Sequence, residues 1–431
     1  MEKFVIEGGA PLSGELTAAG NKNAALPILA ACLLTEEELL LHRVPRIRDT
    51  EAQIALLERL GVEVAWVGDN SLRLCAASVG AAEVDEELSK KIRASFLLAG
   101  PLLARFGEAR MPPPGGDFIG RRRLDAHLDA FMDLGARVDG DRWIELTAPG
   151  GLRASAIFMD EPSVMGTENA LMAAALTPGP TTIANAACEP HVQDLARLLA
   201  KMGAEVDGIG SNVMTVHGRD RLGGAEHTVS PDHIEVGSFM ALAAATGGEL
   251  RIRDAEPADL IMVRRQFRRL GLESTIEGAD VIVPPGQDLR IRTDLGDAIP
   301  KIEDGPWPAF PADLTSIALA LATQANGEIL IFEKMFENRL FFVDKLVAMG
   351  ARITLCDPHR AIVSGPSRLH GERVESPDIR AGMAILIAAL AAEGTSEIGN
   401  IRQIDRGYEQ IDERLRALGA QIERVSAEVA A

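Results

Sequence analysis

ERLRALGAQI, residues 413–422, is the last of six copies of a short phrase on which the fold of this 431-residue chain depends. In each copy a segment with helical spacing ends in Leu or Met, and a glycine, an apolar residue and a polar residue follow. The glycines stand 74, 68, 68, 79 and 69 residues apart and are Gly61, Gly135, Gly203, Gly271, Gly350 and Gly419. A phrase that returns at near-constant spacing predicts six structural repeats.

Each copy of the phrase predicts a helix, a stop and a hairpin. Residues 55–60 and 413–418 carry helix-forming residues with apolar side chains three or four positions apart, which predicts an outer helix. The glycine supplies the left-handed conformation that ends a helix. An alternating segment follows, and a turn such as GDN at 68–70 folds it back as a second strand.

A second recurring element is an alanine-rich helix that is apolar on most of its faces, which is typical of a helix buried on all sides. The six helices are predicted at residues 23–34, 93–106, 168–177, 237–246, 313–324 and 379–394. Each repeat is then a strand, a buried helix, a strand, an outer helix and a hairpin. We expect an α/β fold of two lobes with three repeats each and an active site in the cleft between the lobes.

The composition excludes several classes of protein. Hydrophobic residues make up 47% and charged residues 25% of the chain, which is typical of a soluble globular protein. The net charge of −19 and the aromatic content of 4% argue against a nucleic-acid or membrane partner. The amino-terminal segment lacks the apolar core of a signal peptide, and no apolar run reaches 18 residues. The cysteines are too scattered for a disulfide framework or a zinc site and are Cys32, Cys75, Cys188 and Cys356. We expect a cytoplasmic protein.

The start of the first buried helix carries a polar cluster. Lys22 stands between Asn21 and Asn23, where free backbone N–H groups and the helix dipole favour an anion. The alternative is a solvated lysine without a ligand.

A loop rich in proline and glycine carries a second cluster. Residues 112–120 contain three prolines and three glycines around Asp117, and the run Arg121-Arg122-Arg123 follows. In an acidic chain such a run predicts an anion site. The alternative is a turn aspartate followed by solvated arginines.

The remaining clusters are single charged residues in otherwise apolar segments. Asp313 caps the fifth buried helix, or it is a base that accepts a proton from a substrate hydroxyl. Arg339 and Arg406 interrupt patterned segments, and each alone would be a surface ion pair. His127 has acidic neighbours but no second histidine, so no metal site is predicted there.

Six segments together resemble the enolpyruvyl transferases, and the resemblance runs from residue 1 to about residue 425. They are GNKNAALPILAACLL at 20–34, PGGDFIGRRRLDAHL at 114–128, PSVMGTENALMAAAL at 162–176, PAFPADL at 308–314, FENRLFF at 336–342 and IDRGYEQIDERLRALGA at 404–420. The resemblance implies a two-lobed inside-out α/β barrel of six βαβαββ repeats, which agrees with the repeat pattern found independently. One lobe would span 22–229 with a catalytic loop at 112–125, and the other would join 1–21 to 230–431.

The match follows the sugar-nucleotide branch of this family. It implies transfer of the enolpyruvyl group of phosphoenolpyruvate to the 3-hydroxyl of UDP-N-acetylglucosamine, by addition and then elimination of phosphate. This reaction is the first committed step of peptidoglycan synthesis and thereby serves cell-wall biogenesis, cell shape, the cell cycle and cell division. The implied partners are these two small molecules, with no cofactor, no metal, no nucleic acid and no membrane.

The resemblance also implies a role for individual residues. The phosphate of phosphoenolpyruvate would be held by Lys22, Arg122 and Arg406 and its carboxylate by Arg339, with Asn23 as a further polar residue of the same site. The catalytic groups would be Lys22, Asp313 as the base and Asp117 as the general acid. The sugar nucleotide would contact Arg93, Arg122, Arg123, Leu124, Asp125, Ser163, Val164, Asp313 and Met335. Further polar cleft positions would be Glu189, Asp232, Asp378 and Arg380.

Asp117 departs from the commonest family pattern. Most relatives have a cysteine there, which is the target of the antibiotic fosfomycin, and some have aspartate. A carboxyl group donates a proton only while it is protonated, so closure around Asp117, or the Asp313 carboxylate, would have to keep the proton in place against the adjacent arginines. We expect Asp117 to be essential and the enzyme to be insensitive to fosfomycin.

Four further departures affect the acceptor side. Glu161 stands where the family commonly has lysine, Met165 replaces a glycine, Arg123 replaces a proline and His191 replaces a glutamate. Transfer to another nucleotide or sugar acceptor therefore stays open as an alternative. A non-catalytic sugar-nucleotide-binding paralogue is a second alternative, although retention of the residues expected to bind phosphoenolpyruvate argues against it.

Overall fold

A computed structural model of the chain describes residues 2–80 and 82–426. The chain forms two compact units. Unit 1 combines Met1–Ala19, Phe118–Arg121 and Pro231–Ala431, and unit 2 combines Gly20–Asp117 and Arg122–Ser230. The backbone therefore changes unit after residues 19 and 230 and on both sides of residues 118–121.

The strands of the described residues follow one another as β1 (Glu2–Glu7), β2 (Gly14–Thr17), β3 (Leu39–His42), β4 (Glu63–Trp66), β5 (Leu72–Cys75), β6 (Glu108–Met111), β7 (Arg137–Asp139), β8 (Ile144–Thr147), β9 (Ala156–Phe158), β10 (Gly179–Ala184), β11 (Glu205–Asp207), β12 (Val213–Gly218), β13 (Ala225–Thr228), β14 (Leu250–Arg253), β15 (Thr275–Glu277), β16 (Asp280–Val283), β17 (Lys301–Glu303), β18 (Gly327–Phe332), β19 (Ile353–Asp357), β20 (Arg360–Gly365), β21 (Arg373–Glu375), β22 (Thr395–Gly399) and β23 (Gln421–Ser426).

The helices of the same residues are α1 (Lys22–Ala30), α2 (Arg48–Leu60), α3 (Glu86–Ser89), α4 (Ala99–Phe106), α5 (Asp125–Asp133), α6 (Val164–Ala175), α7 (Pro190–Lys201), α8 (His233–Thr246), α9 (Ile261–Arg269), α10 (Thr315–Ala322), α11 (Val343–Ala348), α12 (Ile379–Ala391) and α13 (Ile411–Ala417). Short 3₁₀ helices occupy Ala31–Leu34, Arg93–Leu98, Pro257–Leu260, Ala312–Leu314 and Ile401–Arg406. All six predicted buried helices are present, as α1, α4, α6, α8, α10 and α12.

Six sheets surround these buried helices in the described part of the chain. Unit 1 has the strand orders β21-β22-β1-β23, β15-β16-β14-β2 and β17-β18-β20-β19. Unit 2 has the orders β11-β12-β10-β9, β13-β3-β5-β4 and β6-β8-β7. Every four-stranded sheet combines one parallel pair at an edge with two antiparallel pairs.

The buried helices form the centre of each unit because they are apolar on every side. In unit 1, α8, α10 and α12 pack against one another, and every residue of α10 is buried. In unit 2, α4 packs against α6, while the Arg93–Leu98 turn contacts α1. Each unit has its own hydrophobic core. The predicted inside-out α/β fold is therefore confirmed.

The six repeated glycines end the outer helices as predicted. Their φ angles lie between +86° and +111°, a region that residues with a Cβ rarely adopt. The helices that they follow are α2, α5, α7, α9, α11 and α13. Each glycine is followed by the next strand, so the repeating phrase sets the helix-to-strand turn in all six repeats.

Two of the six repeats differ from the simple repeat, because the strand that precedes their buried helix belongs to the other unit and pairs within that unit. β2 precedes α1 but pairs in parallel with β14, and β13 precedes α8 but pairs in parallel with β3. In later repeats the two strands that flank a buried helix pair with each other, as β9 and β10 do. The sequence of β2 contains no local feature that selects its partner strand. Its pairing with β14 could therefore be learned only from the structure.

The predicted catalytic loop belongs to both units. Residues 118–121 group with unit 1, whereas the rest of 112–125 groups with unit 2. Asn338 N donates a hydrogen bond to Ile119 O at 3.0 Å, and Arg121 N donates to Glu337 Oε2 at 3.0 Å. These bonds to a segment more than 200 residues away explain why residues 118–121 group with unit 1. The lobe boundaries expected from the sequence had placed the whole loop in the other lobe.

No helix in the described part of the chain combines the length and the apolar character that a membrane crossing requires.

Candidate active site

Half of the predicted site residues lie at the amino-terminal ends of the buried helices. Backbone N–H groups at such ends have no partner within the helix, and the helix dipole is positive there. In unit 2 these residues are Lys22, Asn23, Arg93, Ser163 and Val164. In unit 1 they are Asp232, Asp313, Asp378 and Arg380.

Lys22 is buried and ion-paired rather than solvated. Asn21 caps α1, because its side-chain oxygen accepts hydrogen bonds from the backbone N–H groups of Asn23 and Ala24. Lys22 Nζ lies 2.8 Å from Asp49 Oδ2, and both side chains are buried. The carboxylate offsets the repulsion between the lysine and the positive end of α1. The solvated alternative for Lys22 is therefore wrong.

Arg93 lies against the backbone of the arginine run. Its Nη2 donates to Arg122 O, and to Arg123 O at 3.2 Å. Burial, and then the like charge of Arg122, lower the pKa of Arg93 to about 10. Two guanidinium groups in this position raise the local potential, which favours an anionic ligand.

The loop around Asp117 approaches this part of unit 2 closely. A Cβ on Gly115 would lie 1.8 Å from Lys90 O, and one on Gly116 would lie 2.9 Å from Arg93 Cβ. Glycine is therefore required at both positions for the loop to pack there. Asp117 is half-buried, and the next residue, Phe118, is 89% exposed.

The other predicted residues of unit 2 occupy helix starts at its surface. Ser163 caps α6, and its Oγ accepts from Gly166 N at 3.2 Å. Arg123 is exposed and forms an ion pair with Asp125, the first residue of α5, which Leu124 precedes. Glu189 precedes α7 in the capping position.

Asp313 is the centre of the site residues of unit 1. One carboxylate oxygen accepts from Arg339 Nη2 at 2.7 Å, and the other accepts from Arg380 Nε at 3.1 Å. The arginine side chains are 3% and 4% exposed, whereas that of Asp313 is 28% exposed. The carboxylate is therefore the accessible member of a buried charged triad.

The electrostatics of this triad keep both arginines charged. Burial alone would lower the pKa of Arg339 and of Arg380, but the Asp313 carboxylate raises both above the usual range. The Asp313 side chain binds guanidinium groups instead of capping a helix, since the 3₁₀ turn that contains it starts after Pro311 without a side-chain cap. The surface ion pair considered for Arg339 is likewise wrong, since its side chain is buried.

Two other aspartates of unit 1 are helix caps. Asp232 accepts from Ile234 N and Glu235 N at the start of α8, and Asp378 accepts from Arg380 N and Ala381 N at the start of α12. His233 follows Asp232, and burial, then the charge of Arg380, lower its pKa to about 4. These caps fix the starts of the two helices beside Asp313.

Arg406 and Met335 lie on turns of unit 1. Arg406 ends the 3₁₀ helix Ile401–Arg406, and its Nη1 donates to Gln403 Oε1 at 2.9 Å. Met335 is 38% exposed, and its backbone N–H donates to Asp304 Oδ2 at 3.3 Å. Neither residue belongs to the Asp313 triad.

His127 is part of the core of unit 2. Its Nδ1 accepts from Asn169 Nδ2 at 2.8 Å, and its ring packs edge-on against Phe96. Burial is the main cause that lowers its pKa, to about 3, so it is a neutral histidine at ordinary pH. Over residues 2–80 and 82–426, no three His, Cys, Asp or Glu side chains come together as a metal site.

Three carboxylates next to the site were not predicted. Asp49 pairs with Lys22, Glu333 lies beside Arg339, and Glu337 binds the loop at Arg121. Glu333 and Glu337 stand in or next to the FENRLFF segment, so their position close to Arg339 was a usable signal. Asp49 lies 27 positions after Lys22 on another helix and offers no such signal.

Comparison with known proteins assigns the chain to a family. The family model described as EPSP synthase (3-phosphoshikimate 1-carboxyvinyltransferase) matches residues 6–415. The enolpyruvyl transferase NikO from Streptomyces tendae has a similar structure, with a TM-score of 0.88, 24% identity and 99% of both chains covered. EPSP synthase from Acinetobacter baumannii gives a TM-score of 0.76 at 18% identity, with 99% of this chain and 100% of that chain covered. At these identities the structural likeness supports the fold alone.

The chain belongs to the EPSP synthase family of enolpyruvyl (1-carboxyvinyl) transferases. Within it, the chain is 57% identical over 423 residues to a protein of Bradyrhizobium diazoefficiens, with 98% of each chain covered. It is 52% identical to a protein of Treponema denticola, with 98% of this chain and 99% of the relative covered. Both relatives are named UDP-N-acetylglucosamine 1-carboxyvinyltransferase.

Proposed function

We propose that this chain transfers the enolpyruvyl group of phosphoenolpyruvate to the 3-hydroxyl of UDP-N-acetylglucosamine and releases phosphate. The reaction is the first committed step of peptidoglycan synthesis. The observation that carries the proposal is the half-exposed Asp313 carboxylate between two buried arginines, in a chain whose near-full-length relatives carry this activity in their names.

The anionic groups of phosphoenolpyruvate determine which residues bind it. We assign its phosphate to Lys22, Arg122 and Arg406, and its carboxylate to Arg339, with Asn23 as a further polar contact. Arg339 is always charged, and its planar guanidinium suits a carboxylate. Lys22 lies at the positive end of α1, which adds to the attraction for phosphate.

Addition is the first chemical step. The 3-hydroxyl oxygen of the sugar forms a bond to C2 of phosphoenolpyruvate, and Asp313 accepts the hydroxyl proton. C3 gains a proton from the carboxyl group of Asp117 and becomes a methyl group. The product is a tetrahedral phosphate ketal, whose charge the surrounding cations stabilise.

Elimination completes the transfer. The C2–O bond to phosphate breaks, and the leaving phosphate takes the proton that Asp313 accepted. A proton of the methyl group returns to the carboxylate of Asp117, and the C2–C3 double bond forms again on the sugar. Lys22 and the phosphate-binding arginines stabilise the leaving phosphate dianion. The enolpyruvyl ether of the sugar nucleotide and inorganic phosphate are the products.

The sugar nucleotide contacts are assigned to helix starts and turns. They are Arg93, Arg122, Arg123, Leu124, Asp125, Ser163, Val164, Asp313 and Met335. Polar side chains assigned to the rest of the site are Glu189, Asp232, Asp378 and Arg380. Asp232 and Asp378 act through the helix starts that they cap.

Phosphate release with phosphoenolpyruvate and a panel of acceptors tests the proposal. We expect release with UDP-N-acetylglucosamine and none with UMP, free N-acetylglucosamine or shikimate 3-phosphate. Release only with another acceptor would overturn the substrate assignment, and release with none would support a non-catalytic paralogue.

Asp313→Asn tests the assigned base in the same assay. Loss of a general base lowers kcat by ~10²–10⁴-fold, so we expect a loss in that range with the fold retained by circular dichroism. Asp344→Asn, at an exposed aspartate of α11, is the matched control and should keep normal turnover. Near-normal turnover of Asp313→Asn would exclude the role of Asp313 as the base.

A further inference from the structure

Glu333, which the proposed reaction does not use, lies directly beside Arg339. It follows β18, its side chain is fully buried, and its Oε1 accepts from Phe336 N at 3.1 Å. Asp304, also buried, accepts from the backbone N–H groups of Lys334 and Met335. Two buried carboxyl groups therefore fix the turn at 333–336 that leads to Arg339.

The distance between Glu333 and Arg339 is longer than expected for two opposite charges. Arg339 Nε lies 4.0 Å from Glu333 Oε2, and neither atom has a hydrogen-bond partner among the described residues. Charge-assisted N–H···O bonds are about 2.7–2.9 Å long, and the same guanidinium reaches Asp313 at 2.7 Å. The guanidinium of Arg339 therefore donates to Asp313 and not to Glu333, which is consistent with a neutral Glu333.

The charges around Glu333 favour its protonated form. The charged groups that face Glu333 and the guanidinium beside it are Asp304, Arg339, Asp313, Asp378 and Arg380, and the titratable His359 contacts the backbone oxygen of Glu333 through Nδ1 at 2.7 Å. Burial raises the pKa of Glu333 to about 9, Arg339 opposes this, and Asp304 adds to it. An ionised Glu333 would also place one more negative charge where a substrate carboxylate has to bind.

We propose that Glu333 is a positioning residue that works as a neutral carboxyl group. It fixes the turn at 333–336 and leaves the guanidinium of Arg339 to Asp313 and to the carboxylate of phosphoenolpyruvate. This role rests on the proposed function, because it assumes that Arg339 binds that carboxylate.

Three variants test the role through KM and kcat. Glu333→Gln keeps the shape and the hydrogen bond from Phe336 N without a charge, so its KM for phosphoenolpyruvate should stay within about threefold of wild type at pH 7.5. Glu333→Leu loses that hydrogen bond and should raise this KM about tenfold, with kcat changed less than threefold. Glu328→Gln, at an exposed glutamate of β18, is the matched control.

The pH profile separates a neutral carboxyl group from a merely structural one. Above about pH 9 the KM of wild type for phosphoenolpyruvate should rise, by up to about tenfold per pH unit, because the ionised fraction of Glu333 then repels the substrate. In Glu333→Gln that rise should be absent. An equal alkaline rise in both proteins, or a normal KM in Glu333→Leu, would overturn the proposal.

Thermal unfolding gives a readout that needs no substrate. Between about pH 4.3 and pH 9 the unfolded chain has lost the Glu333 proton while the folded chain keeps it, so rising pH destabilises wild type. The Tm of Glu333→Gln minus that of wild type should therefore increase from pH 5 to 9 and stay constant at higher pH. Parallel Tm curves for the two proteins would exclude a neutral Glu333 even if the transfer reaction is confirmed. An increasing Tm difference between them without transfer activity would exclude only the proposed function.

Discussion

Asp117 provides the sharpest prediction at the residue scale. A carboxylate is a weaker nucleophile than a thiolate, so fosfomycin should cause no time-dependent inactivation of the wild-type chain. Asp117→Asn cannot donate a carboxyl proton and should lower kcat by ~10²-fold or more. Turnover assays after incubation with fosfomycin, with exposed Asp141→Asn as the control, measure both effects. Rapid irreversible inactivation of wild type, or near-normal turnover of Asp117→Asn, would contradict these roles.

At the residue scale, some site residues can be predicted from their neighbours along the chain, whereas their ion-pair partners cannot. Lys22 and Asp313 could be singled out because each lies in a short contiguous motif at the start of an apolar helix. Their partners could not be predicted, since Asp49, Arg339 and Arg380 come from other helices and turns. A buried ion pair is set by which elements pack together, and single-sequence patterns do not contain that information.

At the scale of the element, the glycine that ends each outer helix carries a stability prediction. Gly419 has φ +97° and open space around its missing Cβ, so Gly419→Ala should cost only the left-handed penalty of about 1–2 kcal/mol. At Gly271 an added Cβ would lie 2.4 Å from Arg290 N and 2.5 Å from Asp288 O. Gly271→Ala should therefore cost about 3 kcal/mol or more.

Urea denaturation of the two glycine variants measures this difference. Gly80→Ala, at a glycine with no positive φ and no atom near its missing Cβ, serves as the control and should be close to neutral. Equal losses in the free energy of unfolding for Gly271→Ala and Gly419→Ala would show that close packing at Gly271 does not add to the backbone penalty.

At the scale of the whole molecule, the pairing of β2 with β14 and of β13 with β3 determines which segments fold together. β1 is a central strand of its sheet and pairs with β23 so that Glu2 lies opposite Ser426. A chain of residues 231–426, joined by a four-residue glycine-containing loop to residues 2–19, should therefore fold as unit 1. The same segment without residues 2–19 lacks β1 and β2 and should not fold.

Circular dichroism and urea titration of the two chains check this prediction. The rearranged chain should show a cooperative transition, because it contains the whole hydrophobic core of unit 1. A cooperative transition in the shorter chain would contradict the importance of the two amino-terminal strands.

The repeating sequence by itself determined the local architecture of this protein. The six glycines with their preceding helices and the six alanine-rich helices depend on neighbours along the chain, and each is present in the structure. The family could be recognised for the same reason, because its motifs are contiguous segments.

Tertiary structure alone decided which of these pieces meet. It pairs β2 with β14, binds residues 118–121 to Glu337, places Asp313 between two buried arginines, and places the buried Glu333 beside one of them. These features join residues far apart in the chain, and their energies come from burial and from charges brought together by packing. The six-fold phrase therefore sets how each repeat is built, and the packing of the repeats sets the chemistry of the site.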